Sequence, residues 1–212
     1  VIPVIFALLL NEIRNRPFKR CVQTIVYMPH FLSWVILGNV FVSMFSLDGI
    51  INQLLAAFGA EPVMFMASNV WFRPILILTD VWKEFGYGAI IYLAALTNID
   101  MNLYEAAAID GAGRWKQLRY ITLPALVPTI VLMTTLSLGN VLNAGFDQVF
   151  NMYNPLVYET GDIIDTYVYR MGLVDMQFSL GTAVGFLKSV VSLLLISASY
   201  FLANRFAGYK IF

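Results

Sequence analysis

The chain has 212 residues, 59% hydrophobic and only 12% charged, and its 13 basic and 13 acidic side chains give a formal net charge of zero. A mean hydropathy of +0.74 excludes an ordinary soluble domain and a disordered one, leaving an integral membrane protein. Balanced charge with no dense basic stripe excludes a nucleic-acid-binding surface.

Val1 to Leu10 is apolar, but a helix needs about 20 residues to cross a hydrocarbon core, so this stretch reads as the end of an incomplete span. A valine start, with no basic leader and no small-residue cleavage site, reads as a fragment rather than a signal peptide. Asn11 to Arg20 carries Arg14, Arg16, Lys19 and Arg20 against Glu12, which the positive-inside rule assigns to the cytoplasm. Residues 22–45 are then expected to span outward, bent near their start by Pro29. Cys21, the one cysteine, is expected as a small buried hydrophobe. His30 is the only histidine, so a metal site or catalytic dyad would lack a second imidazole, and a hydrogen-bonded or interfacial role is expected.

Residues 46–73 read as an outside segment with turns at Asp48-Gly49 and Glu61-Pro62 and a short amphipathic stretch from Ile50 to Phe58. Trp71 and Phe72 look like interfacial anchors. Residues 74–97 return inward and contain Asp80, Lys83 and Glu84, whose three- and four-residue spacing puts them on one helix face. A charge at mid-membrane costs roughly 2.5 to 3.5 kcal/mol, so these side chains need partners or water. Asp80 can pair with Lys83. The group either holds a subunit interface together or lines a translocation path.

Residues 98–125 form a polar island. Asn102 and Glu105 have capping-box spacing, predicting a short helix from Leu103 to Ile109 that carries Ala106, Ala107 and Ala108. Asp110-Gly111-Ala112-Gly113 reads as a turn, followed by a helical stretch with Trp115, Leu118 and Ile121/Thr122 at three- and four-residue steps. Arg114, Lys116 and Arg119 place the island in the cytoplasm, and Pro124 and Pro128 mark entry into the next span. Small residues allow a partner's groove to approach the backbone closely, so the island suits a knob lying on another protein.

Residues 126–146 are expected to span outward. Asn140, Asn143 and Asp147 at i, i+3 and i+7 form one polar stripe, flanked by Gly139 and Gly145. With Phe146, Phe150 and Tyr153 nearby, the stripe offers the amide, carboxylate and aromatic groups that bind sugars; interhelical hydrogen bonding is the alternative. Residues 148–181 form an outside loop with Glu159, Asp162, Asp165 and Asp175 against Arg170. Within it, residues 162–171 are expected either as a surface helix offering Ile163, Tyr167 and Tyr169 to a solute-binding protein or as a packed re-entrant segment. Residues 182–206 cross inward, ending at Arg205 and Lys210. Lys188 in this span is a cavity residue or a partner for a carboxylate such as Asp80 or Glu84. A phosphate-binding loop, a zinc-protease motif and a nucleophile triad are all missing from the sequence, so neither ATP hydrolysis nor other catalysis is expected of this chain.

The pattern E-A-A-x3-G-x9-I-x-L-P, carried by Glu105, Ala106, Ala107, Gly111, Ile121, Leu123 and Pro124, resembles the coupling loop of binding-protein-dependent ABC importer permeases. The extension Ile109-Asp110-Gly111-Ala112 resembles the sugar-importing branch. Met101 stands where relatives often have proline. The resemblance implies an all-α, polytopic membrane helical bundle of MetI-like permease fold, with further spans upstream of this sequence. It implies a multi-pass location in the bacterial plasma membrane, among lipid. It also implies that Glu105, Ala106, Ala107, Asp110, Gly111, Ala112, Leu123 and Pro124 engage a cytoplasmic ATPase dimer that holds ATP and Mg. A second, different permease subunit and an extracellular or periplasmic solute-binding protein complete the implied assembly. In some family members the span holding Asn140 and Asn143 lines the sugar site. An ion-gradient-driven transporter or a channel would fit the intramembrane charges but not the seven-position pattern.

Overall fold

The computed structural model describes residues 1–207, and every element among them is helical. In chain order these are α1 (Ile2–Glu12), α2 (Arg16–Tyr27), α3 (Trp34–Met44), α4 (Ile50–Ala57), α5 (Phe72–Thr97), α6 (Met101–Ile109), α7 (Arg114–Gln117), α8 (Leu123–Gly139), α9 (Phe146–Met152), α10 (Tyr158–Gly161), α11 (Ile164–Val168) and α12 (Phe178–Ala207). The chain divides into two compact units. One comprises Val1–Tyr27, Glu84–Gly139 and the chain from Leu193 onward; the other comprises Met28–Lys83 and Asn140–Ser192.

In the first unit Ala7, Ala89, Tyr92, Leu96 and Leu126 form the buried core, and Phe6 meets Phe85 edge to face at 5.2 Å. A side chain at Gly86 would collide with the Val26 carbonyl, so α2 and α5 touch backbone to backbone there. Helix α7, a π-helical turn at Leu118–Thr122 and α8 run on as one 26-residue helix, Arg114–Gly139. The π turn has a local cause in Pro124, which lacks an N–H and whose ring presses on the preceding turn; the Leu123 N–H bonds to Leu118 instead. Proline thus sits inside a continuous helix rather than at its entry.

In the second unit Phe65, Phe72, Ile75, Met152 and Val157 are buried together. Asn52, 2% exposed, organises the 46–73 segment by accepting from the Val63 N–H at 2.8 Å and donating to the carbonyls of Val63 and Ser46, both at 2.9 Å. A buried amide so fully satisfied fixes the path of the segment whose Phe65 and Phe72 enter the core.

Among the described residues two helices, Arg114–Gly139 and Phe178–Phe201, are long and apolar enough to cross a membrane, or three if the bent pair Arg16–Phe31 and Trp34–Met44 is one span, and none of the apolar window of Phe178–Phe201 is buried within the chain. Apolar surface of that extent needs lipid or protein cover. Helix α5 spans about 39 Å at 1.5 Å per residue but carries Asp80, Lys83 and Glu84 near its middle.

Three expectations change at this level. Residues 22–45 are not one straight helix: a 99° bend separates the helical stretches Arg16–Phe31 and Trp34–Met44, where Pro29 weakens the ladder and the Ser33 hydroxyl caps α3 by accepting the Ile36 N–H. The helix expected over 126–146 stops at Gly139. Asn140 to Ala144 form a turn, and Gly145, in the left-handed region at φ +70°, redirects the chain into α9, so Asn140, Asn143 and Asp147 do not share one helix face. Cys21 is exposed, not buried. Lys210 lies outside the described residues, as does the side chain of Arg205.

Candidate functional site

The polar island folds into a capped helix and turn on the first unit. Asp100, not Asn102, is the N-cap of α6: its carboxylate accepts the Asn102 N–H at 2.9 Å. At the other end the Ala112 N–H bonds to the Ala107 carbonyl at 2.8 Å and the Gly111 N–H to that of Ala108 at 3.1 Å, with Gly111 at φ +76°. These paired bonds are a Schellman closure, which requires a left-handed residue where Gly111 stands. The Gln117 side chain ties the next turn down by donating to the Ala112 carbonyl at 3.2 Å. The Tyr104 hydroxyl and the buried Thr122 hydroxyl are 2.9 Å apart, linking α6 to the π turn of the long helix.

Glu105, Ala106, Asp110, Gly111, Leu123 and Pro124 are exposed, and Ala107 and Ala112 half-buried. Beside them Ile109 is 88% and Trp115 77% exposed. Two bulky apolar side chains bared on an otherwise polar knob are the kind of anchor that protein interfaces bury. Sequence reasoning placed Trp115 on an internal periodicity and Ile109 at a helix end and in the branch extension, without marking either as an exposed anchor; the signal available was large apolar residues inside the polar island.

A second feature lies within the other unit. A cavity of about 560 Å³ opens among Arg73, Ile77 and Asp80 on α5, Asn143 in the turn, Gln148 on α9 and the 160–163 segment. Gln148, 4% exposed, fixes its wall by donating to the Leu76 carbonyl at 2.7 Å and the Thr79 hydroxyl at 2.8 Å. The Arg73 Nε donates to the Thr160 carbonyl at 2.5 Å. Asp162 accepts from Arg170 at 2.5 and 3.4 Å and from the Thr166 hydroxyl at 2.6 Å, while Arg170 covers the Tyr158 ring at 4.5 Å. The hydrogen bond to Asp162 holds the Arg170 guanidinium charged, above its already high ordinary pKa.

Of the expected path residues, Asp80 and Asn143 meet at this cavity, and Asn140 adjoins it by accepting from the Asn143 amide at 3.2 Å. Phe146 instead lines a neighbouring cleft with Asp165, and Asp147 is exposed on α9. Lys83, 6% exposed, donates to the His30 carbonyl at 2.9 Å and lies over the Trp34 ring. Glu84 falls in the first unit. Lys188 pairs with Asp165 rather than with Asp80 or Glu84, because α11 brings that carboxylate against α12. Tyr169 is not offered to a partner; it packs edge to face on Phe150 at 4.9 Å.

Apolar helices largely bare of protein cover, with an exposed helix-turn knob leading into one of them, define a helical membrane protein. Residues 1–208 match the family of binding-protein-dependent transport system inner membrane components, and the chain belongs to that family. It is 45% identical over 205 residues to the protein LplB of Bacillus subtilis, covering 96% of this chain and 64% of that protein. It is 46% identical over 206 residues to the polygalacturonan/rhamnogalacturonan transport system permease protein YteP of the same organism, covering 97% and 64%. The chain therefore spans about 64% of the length of these curated relatives. Its fold matches a crystal structure of a bacterial ABC transporter involved in import of the acidic polysaccharide alginate, with a TM-score of 0.94 and 40% identity over 97% of this chain and 72% of that one. A second alginate transporter structure, in complex with an alginate pentasaccharide-bound periplasmic protein, matches at a TM-score of 0.95 and 39% identity, over 99% and 73%.

Proposed function

We propose that this chain is the transmembrane permease subunit of an ATP-driven importer that moves an oligosaccharide inward across the bacterial plasma membrane. The observation that carries the reading is the knob. A Schellman turn at Gly111 bares Ile109 and Trp115 around Glu105, and Tyr104 links that surface to a helix long enough to span a bilayer. Force applied to α6 by a partner reaches Arg114–Gly139 through a short, hydrogen-bonded path. A cytoplasmic ATPase dimer holding ATP and Mg²⁺ is the partner this surface fits, with Glu105 as its polar contact and Ala106, Ala107, Asp110, Ala112, Leu123 and Pro124 shaping the seat.

ATP-driven closure of the dimer would then alternate the spans between inward- and outward-open states. A second, different permease subunit and a solute-binding protein complete the assembly; the alginate transporter structure with its periplasmic protein supports the binding protein. The saccharide reading rests on Asp80, Asn143 and Gln148 at one cavity, an acceptor and two amides suited to hydroxyl groups, and on relatives named for oligosaccharide and polysaccharide import.

The test is ATP hydrolysis by the full-length permease, reconstituted with its ATPase and partner permease, with and without loaded binding protein. Stimulation by the loaded protein, lost in Glu105→Arg, is expected. Uptake that follows an ion gradient and ignores ATP would overturn the reading.

A further inference from the structure

We infer that Arg73 reads a carboxylate on the saccharide at this cavity, which makes the substrate a uronate-containing oligosaccharide; the inference rests on the saccharide reading above. Arg73 stands in the first turn of α5 and lines the cavity with Asp80 and Asn143. Its Nε–H is held by the Thr160 carbonyl at 2.5 Å, and Thr160 is fixed in turn by donating its hydroxyl to Asn69 at 2.7 Å. That bond uses one of the five guanidinium N–H groups. The remaining planar fork is oriented before any ligand arrives, and its geometry matches the two oxygens of a carboxylate.

The acidic groups around it do not cancel this charge at bonding distance. Asp162 is neutralised by two bonds from Arg170 and one from Thr166, and Glu159 accepts from Asn69. Asp80 lies seven residues further along α5, about 10 Å along the axis from Arg73. Lys83 and Lys188, the other cations of this unit's apolar helices, contact His30 and Asp165. Arg73 is thus the cation the cavity presents to a ligand, at one end, with acceptors and amides at the other.

The experiment measures binding of radiolabelled trigalacturonate and of its methyl ester to the permease–ATPase complex in phosphatidylcholine nanodiscs without binding protein. Wild type should prefer the acid by about tenfold or more, the value of a charge-assisted bond. Arg73→Gln should erase the preference while leaving ester affinity unchanged, and Arg73→Lys should keep part of it. Equal weakening of both ligands in Arg73→Gln would make the residue a staple for Thr160 only, and no change in either would remove it from the site. A preference that vanishes when phosphatidylglycerol is added would make a lipid headgroup the true occupant. Wild type binding neither ligand would overturn the saccharide reading itself, and the role of Arg73 with it.

Discussion

Lys188 on α12 donates to the carboxylate of Asp165 on α11 at 2.5 Å, and their side chains are only 15% and 27% exposed. An ammonium on an apolar helix is thereby neutralised by the loop segment packed beside it. Lys188→Met should lower stability by about 1–3 kcal/mol, because it leaves Asp165 half-buried without its cation. Adding Asp165→Leu should restore most of the loss, since apolar replacement of both partners removes the desolvation penalty. Thermal unfolding of the three variants in nanodiscs decides it, and an unchanged midpoint for Lys188→Met would show that the pair does not hold α11.

Coupling and folding should separate at the knob. Glu105 is exposed, so Glu105→Arg should leave the thermal midpoint where it is and abolish ATPase stimulation. Gly111→Ala places a Cβ at φ +76° and should cost about 1 kcal/mol through the backbone alone, with space around it otherwise open. Gly111→Asp adds a bulky charge at the proposed contact and should lose coupling as well. A fully stimulated Gly111→Asp complex would remove the turn from the interface.

Tyr104→Phe deletes one hydroxyl and leaves the ring. The loss of its 2.9 Å bond to Thr122 should cost about 0.5–1.5 kcal/mol. If α6 transmits force through that bond, hydrolysis should continue while saccharide uptake per ATP falls. Unaltered stoichiometry would mean that the Schellman closure and Gln117 carry the load.

Gly161 has the ring of Phe72 against it so closely that a Cβ there would overlap Cε1 and Cδ1 of a fully buried side chain. Gly161→Ala should therefore destabilise the second unit by about 1–3 kcal/mol through overpacking. The double variant with Phe72→Leu should recover part of the loss. Failure of Phe72→Leu to compensate would show that the strain is taken up elsewhere in the 158–163 segment.

Gln148→Leu tests the cavity wall. It removes two donors from a 4% exposed position and strands the Leu76 carbonyl and Thr79 hydroxyl, at about 1–3 kcal/mol in all. Saccharide binding should weaken with it, because α5 and α9 set the distance from Asp80 to Asn143. Normal binding by a destabilised variant would separate the wall from the site.

Composition and local chemistry alone determined the helical membrane class, the helices at Phe72–Thr97 and Phe178–Ala207, and the helix-turn at Met101–Gly113. These follow from signals that act within a few residues: long apolar runs, helix-forming residues after a polar break, glycine where φ must be positive. Sequence also singled out the knob by a fixed spacing of seven residues. Tertiary structure decided the rest. Two features had weak local signals: the 99° break after Pro29, which a single proline allows but does not require, and the end of a helix at Gly139 in a stretch whose period still looks helical. The contacts of Lys83 with the His30 carbonyl and of Lys188 with Asp165 had no sequence signal. They join residues 53 and 23 positions apart, and a buried ammonium takes acceptors that packing brings within reach. The same holds for Arg73: only the approach of Thr160, 87 residues later, turns an interfacial arginine into an oriented fork.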